Sequence, residues 1–129
     1  MEKEFIPYEP ALALKELGFD KPCLKFYANK KLVLALDTDN GDINSKLNQY
    51  NPLYVSAPTF SQAFRFFREK YGLHPHFCFF TDEKLWNVDI YAYLKEYGLK
   101  TDPCTMKFKA YEEAESACLI KLIEIVKKK

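Results

Sequence analysis

The sequence predicts an α+β domain with an antiparallel sheet and with helices packed mainly on one face of that sheet. Three segments carry apolar residues at helical spacing, and five shorter runs rich in aromatic and aliphatic residues are separated by turn-forming residues. A chain of 129 residues has the length of one domain. The predicted order of elements is α-β-β-α-β-β-β-α, with residues 1–129 forming a single domain.

The first helix is expected over residues 8–18. Pro10 suits the first turn of a helix, and Gly18 can end it because glycine readily adopts the left-handed conformation of a C-terminal cap. Phe19 is expected to pack back on the last turn. The apolar face consists of Pro10, Ala13, Leu14 and Leu17.

A β-hairpin is expected next. Residues 23–28 and 31–36 are short apolar-rich runs, and the two residues between them, Asn29 and Lys30, match a hairpin loop. Residues from about 37 to 55 are rich in Asn and Asp and show no sustained periodicity. They predict a mobile surface loop.

The segment of residues 56–73 contains the local signals of a complete helix. Ser56 or Thr59 can cap its start, Pro58 fits its first turn, and Gly72 ends it. One face is aromatic and the other is polar and basic. The aromatic face consists of Phe60, Ala63, Phe64, Phe67 and Tyr71, and the opposite face contains Ser61, Arg65, Arg68 and Glu69.

Three strands and a helix complete the order. Strands are expected over residues 75–81, 85–93 and 104–109, but residues 89–98 fit a short helix equally well, so this segment keeps two interpretations. The last helix, residues 111–127, begins with glutamates and ends with lysines, as the helix dipole favours. Its apolar face covers nearly half of its circumference, which predicts packing across a sheet.

Charge and hydropathy argue against several classes of protein. The 19 Lys and Arg residues and the 18 Asp and Glu residues leave a net charge of +1, so the chain as a whole does not attract polyanions. Because no signal-peptide pattern and no long apolar run occur, a soluble cytoplasmic protein is expected. The four cysteines have no paired spacing and are expected to be reduced thiols, and no cofactor is expected.

His74, His76 and Cys78 are the candidate metal ligands. They alternate along a predicted strand and would lie on one side of it, and imidazole and thiolate both bind zinc. A structural zinc site needs a fourth protein ligand, so a strand entry with half-exposed histidines and a buried thiol is the preferred interpretation. No residue lies in a recognisable catalytic motif, so the chain is not expected to be an enzyme, although an enzyme with an unrecognised site is a third hypothesis.

From residue 60 onward the order of elements is that of double-stranded-RNA-binding domains. The candidate binding residues are Arg65, Arg68, Lys70, Lys107 and Lys109. Those domains bind phosphates with lysines at the start of their second helix, whereas Glu112, Glu113 and Glu115 occupy that place here and would repel phosphates. The aromatic residues Phe77, Phe79, Trp86 and Tyr91 are able to stack on single-stranded bases, but aromatics at strand spacing more often belong to the core.

Three segments, residues 11–23, 57–73 and 111–126, resemble a family of small uncharacterised proteins encoded by phages and prophages. They read ALALKELGFDKPC, APTFSQAFRFFREKYGL and YEEAESACLIKLIEIV. The resemblance implies an accessory role in the cytoplasm of an infected or lysogenic bacterium. It implies no activity and no catalytic residues.

These features together predict a non-enzymatic binding module whose favoured partner is a host or phage protein. The favoured alternative is a nucleic-acid-binding module that uses the basic face of the helix over residues 59–71. No membrane partner is expected.

Overall fold

The computed structural model describes residues 2–34, 54–92 and 106–128. These residues form three α-helices, six β-strands and a short 3-10 turn at Glu2–Glu4. The helices and strands are α1 (Tyr8–Glu16), β1 (Lys25–Ala28), β2 (Lys31–Leu34), β3 (Tyr54–Ala57), α2 (Phe60–Tyr71), β4 (Leu73–Phe80), β5 (Leu85–Ala92), β6 (Met106–Phe108) and α3 (Tyr111–Lys127).

The α+β class and the predicted order of elements are confirmed, with one additional strand, β3, ahead of α2. The strands form two antiparallel three-stranded sheets, β2–β1–β3 and β4–β5–β6, where the sequence predicts one. Contacts within the chain cluster into two compact units, Met1–Ala63 and Phe64–Lys129. No helix in the described ranges is both long and apolar enough to cross a membrane.

Strand β3 corrects the interpretation of the segment before α2. The sequence predicts a loop up to about residue 55 and offers Ser56 as a helix cap, but β3 contains both positions and pairs with β1 along its length. Pairing with a distant strand decides the conformation here, and no local pattern reveals it. Residues 37–53 of the predicted loop lie outside the described residues.

Residues 89–98, for which the sequence fits either a strand or a short helix, form a strand wherever the structure describes them. Residues 89–92 belong to β5 and pair with β4, so the helical interpretation is wrong for them. Residues 93–98 lie outside the described part of the chain. The predicted strand over residues 104–109 is present as β6, with its described residues at 106–108.

In the first unit, α1 packs against β3. The Tyr27 hydroxyl on β1 donates a hydrogen bond of 2.7 Å to the Ile6 carbonyl, and the Tyr27 ring meets the Tyr8 ring edge to face at 5.6 Å. Ile6, Leu14 and Val55 are completely buried. The predicted apolar face of α1 therefore contributes to the hydrophobic core of the first unit.

Helix α1 ends in the cap that the sequence predicts. Gly18 has a φ angle of 93°, its N–H donates to the Lys15 carbonyl at 3.1 Å, and the Phe19 N–H donates to the Leu14 carbonyl at 2.9 Å. This pair of hydrogen bonds is the Schellman motif. Phe19 is buried, which confirms that it packs back on the helix.

Strands β1 and β2 form the predicted hairpin. Asn29 and Lys30 have φ angles of 52° and 68°, and a type I′ turn requires positive φ at both loop residues. The register places Tyr27 opposite Leu32 and Phe26 opposite Val33. The loop thus sets which side chains of the two strands share a face.

In the second unit, α3 packs against β4, β5 and β6. Phe77 on β4 lies opposite Val88 on β5, which pairs in turn with Met106 on β6. Because side chains alternate along a strand, these three share one face, called here the inner face. Phe64 on α2 and Tyr111 on α3 both contact the Phe77 ring, so both helices lie on the inner face, as predicted.

Candidate binding surface

The candidate cations of α2 are held by local contacts. Arg65 Nε donates to Glu69 Oε1 at 2.6 Å, and this hydrogen bond together with the carboxylate charge raises the pKa of Arg65. Lys70 Nζ lies 5.5 Å from the ring centroids of both Phe66 and Tyr71. These contacts are typical of an exposed helix surface and do not by themselves indicate a binding site.

The other candidate cations do not join them on one surface. Lys107 on β6 pairs in register with Asn87 and so lies on the side of the sheet away from α2, called here the outer face. Its Nζ forms an ion pair of 3.0 Å with Glu83. Arg68 and Lys109 are exposed, on α2 and just after β6. The five predicted binding residues therefore form no single basic surface.

The outer face also carries the candidate metal ligands His74, His76 and Cys78, on one side of β4 as predicted. Neighbours on one face of a strand are about 7 Å apart, whereas the ligand atoms of one zinc ion lie within about 4 Å of each other. Among the described residues, no group of three or more His, Cys, Asp or Glu side chains could hold a metal ion. The three side chains thus do not assemble into a metal centre.

Polar groups on β5 complete the outer face. Asn87 Nδ2 donates to Asp89 Oδ2 at 3.2 Å, and Asp89 lies directly opposite His76. The His76 ring meets the Tyr91 ring edge to face, with centroids 6.3 Å apart.

A cluster of aromatic rings extends from the inner face to solvent. It consists of Phe77, Phe79, Trp86 and Tyr111 and is called here the aromatic surface. Ring centroids are 5.1 Å apart for Phe79 and Trp86, 4.8 Å for Trp86 and Tyr111, and 5.4 Å for Phe77 and Tyr111. Phe79 is 42% exposed and Tyr111 is 37% exposed. Phe79, a ring that strand spacing assigns to the core, therefore reaches solvent.

Two strands and a helix bring these rings together. Phe79 and Trp86 are cross-strand partners close to the β4–β5 turn, and Phe77 lies two residues earlier on the same face. Tyr111 is the first residue of α3, which begins shortly after β6 ends. The sequence alone singles out Phe77, Phe79 and Trp86 but omits Tyr111, because its place beside them depends on how α3 packs.

Glutamates border the aromatic surface on α3. The pKa of Tyr111 is raised, mainly because the side chain is partly buried and to a smaller extent because of the nearby charges of Glu115, Cys118 and Glu112. The Tyr111 hydroxyl also donates a hydrogen bond to Glu115. Partial burial, followed by the charge of Glu112, raises the pKa of Glu115. No described side chain forms an ion pair with Glu112 or Glu115. This border is therefore negative.

No protein-family model, no curated protein and no solved structure matches the chain. The resemblance to phage and prophage proteins stays a prediction.

Proposed function

We propose that this chain is a non-enzymatic binding module and that it acts on a protein through the aromatic surface. The observation that carries the proposal is the cluster of four contacting rings, of which Phe79 and Tyr111 are each more than a third exposed. Tyrosine and tryptophan are enriched at the centres of protein interfaces, because their rings bury a large area at a low cost in conformational entropy. A protein partner would cover this apolar area.

The charges around the rings support a protein over a nucleic acid. Glu112 and Glu115 at the start of α3 border the rings and repel phosphates. Arg65 and Lys107, two of the cations that a nucleic acid would use, are already in ion pairs. A phosphate backbone would therefore meet repulsion beside the aromatic surface.

The resemblance to phage and prophage proteins supports an accessory role. In that setting the chain acts in the cytoplasm of an infected or lysogenic bacterium, and its partner is a host or phage protein. The absence of any recognisable catalytic motif in the sequence supports binding rather than catalysis.

Site-specific photo-crosslinking in a bacterial lysate tests this proposal. One variant carries a benzophenone side chain in place of Phe79, and a control carries it in place of Ile120, which is 50% exposed on α3. We expect a discrete crosslinked protein from position 79 that is absent from position 120. Equal products at both positions, or none from a folded protein at position 79, would contradict the proposal.

Mobility-shift assays with single- and double-stranded DNA and RNA test the alternative. We expect no shift at low ionic strength, where contacts with phosphates are strongest. A shift that weakens as salt is added, and that Arg68→Ala and Lys109→Ala abolish, would establish nucleic-acid binding and overturn the choice of a protein partner.

A further inference from the structure

We infer that the protein partner presents an arginine, whose guanidinium stacks on Trp86 and Tyr111 and pairs with the carboxylates of Glu112 and Glu115. The inference rests on the proposed function and specifies the partner as a basic, arginine-containing peptide segment. It follows from two features at the start of α3: partly exposed rings, and two glutamates with which no side chain in the described ranges forms an ion pair.

The rings present flat surfaces of the kind that a guanidinium prefers. The Trp86 and Tyr111 ring centroids are 4.8 Å apart and the rings are inclined by 58°, so the two rings are not stacked in parallel, and Tyr111 is 37% exposed. A cation within about 6 Å of an aromatic centroid is attracted by the ring quadrupole, and tryptophan is the strongest such ring. Arginine uses this contact better than lysine because its guanidinium is planar and weakly hydrated.

The glutamates supply charge at the same place. Glu112 follows Tyr111 directly, and Glu115 lies one helical turn beyond it, within hydrogen-bond distance of its hydroxyl. Partial burial, followed by repulsion from the Glu112 carboxylate, raises the pKa of Glu115. A bound guanidinium would relieve that repulsion and can bind a carboxylate through two parallel hydrogen bonds.

Two lysines near the rings indicate the direction of approach. Lys84 precedes Trp86 by two residues and Lys109 precedes Tyr111 by two residues, and both side chains are exposed. They would repel an arginine that approached from the β4–β5 turn. The guanidinium is therefore expected on the α3 side of the aromatic surface, over Tyr111.

The fluorescence of Trp86 tests the inference directly, because the chain contains one tryptophan. The unaltered protein is titrated with a short peptide that carries two spaced arginines, and with the same peptide in which citrulline or lysine replaces both. We expect saturable changes in Trp86 emission with the arginine peptide, affinity at least about tenfold lower with citrulline, and intermediate affinity with lysine. The citrulline comparison needs no variant protein, so it does not depend on the folding of one.

Variants of α3 supply the matched control. Glu112→Gln combined with Glu115→Gln should weaken binding of the arginine peptide several-fold, whereas Glu113→Gln should leave it unchanged. Glu113 is in the same helical turn and carries the same charge, but it lies on the side of α3 away from Tyr111. Equal affinity for the arginine and citrulline peptides, or equal effects of the two sets of variants, would overturn the inference.

The two proposals fail in different ways. If position 79 crosslinks a protein but the arginine peptide does not bind, the chain is a protein-binding module with a partner of other chemistry. If position 79 crosslinks nothing and the peptide does not bind either, both proposals are overturned.

Discussion

Glu115 links the candidate surface to the stability of the fold. Its carboxylate is partly buried and faces the charge of Glu112, and these two causes raise its pKa. An acid whose pKa is higher in the folded state than in the unfolded chain binds its proton more tightly when folded. Its ionisation therefore opposes folding.

Replacing this carboxylate should stabilise the protein in a pH-dependent way. The ordinary pKa of a glutamate is 4.5, and that of Glu115 in the folded protein is higher. Between these two pKa values the folded state binds more protons than the unfolded chain. The free energy of unfolding therefore falls as the pH rises through this range. We expect Glu115→Gln to be more stable than Glu113→Gln at pH 7 and equal to it below pH 4. Urea unfolding of both variants at the two pH values measures this.

The Glu113→Gln variant controls for the loss of an acid from the first turn, where the helix dipole favours negative charge. A difference between the two variants that does not change with pH would show that the charge of Glu115 is not responsible.

The charged residues also show which pairings a sequence can reveal. Arg65 and Glu69 are four residues apart on one helix, so their ion pair follows from helical spacing. Lys107 and Glu83 are 24 residues apart and meet only because β6 pairs with β5. Counting cations along the chain therefore overestimates how many of them share one surface.

Among the elements, α2 begins with a reciprocal cap. The Gln62 N–H donates to Thr59 Oγ1 at 3.2 Å, and the Thr59 N–H donates to Gln62 Oε1 at 2.9 Å. This is the capping box, in which two backbone donors at the helix start are satisfied at once. Of the two caps that the sequence offers, Thr59 is the right one, because Ser56 belongs to β3.

Removing this cap should have a measurable cost. We expect Thr59→Ala to lower the free energy of unfolding by about 1 kcal/mol, since the Gln62 N–H loses its acceptor. Thr59→Ser keeps the hydroxyl and should cost much less. Urea midpoints of the two variants decide this, and equal losses would show that the threonine methyl group, not the cap, matters at this position.

The helices follow from local signals and the sheets only in part. The three helices combine apolar spacing with end signals such as Gly18 and Gly72, which act within a few residues. Strand β3 has four residues between an Asn-rich segment and Pro58, and its conformation depends on the partner β1. The division of the strands into two sheets likewise depends on contacts between distant segments, which no periodicity records.

The distribution of thiols gives a view of the whole molecule. Cys23 and Cys118 are buried and Cys78 is half-buried, and in the described part of the chain all three are thiols and none is in a disulfide. Cys23 belongs to the first compact unit and Cys118 to the second. Buried thiols react with a bulky reagent only when the structure around them opens, so each reports the stability of its own unit.

Thiol labelling should therefore separate these cysteines. In a Cys104→Ser variant, which removes the one cysteine outside the described residues, we expect a disulfide reagent to modify one thiol quickly, at Cys78. Cys23 and Cys118 should react far more slowly, at rates that increase with added urea. Mass spectrometry of the labelled peptides identifies each site, and rapid labelling of all three in native buffer would contradict the burial of the two cores.

The candidate site could be predicted less well than the fold. The rings Phe79 and Trp86 are visible in the sequence, but strand spacing assigns them to the core. The exposure of Phe79 and the contact between Trp86 and Tyr111 depend on how the strands and α3 are arranged. The glutamates after Tyr111 have a sufficient local explanation in the helix dipole, so only the structure shows that they also border an aromatic surface.

The two-residue loop between β1 and β2 makes this hairpin sensitive to length. One residue inserted between Asn29 and Lys30 would, if the two-residue turn is kept, shift β2 by one position along β1 and turn each of its side chains to the other face. Leu32 would then leave the face that it shares with the buried Tyr27. Natural variants of this chain should accordingly differ at this loop in residue type but not in length.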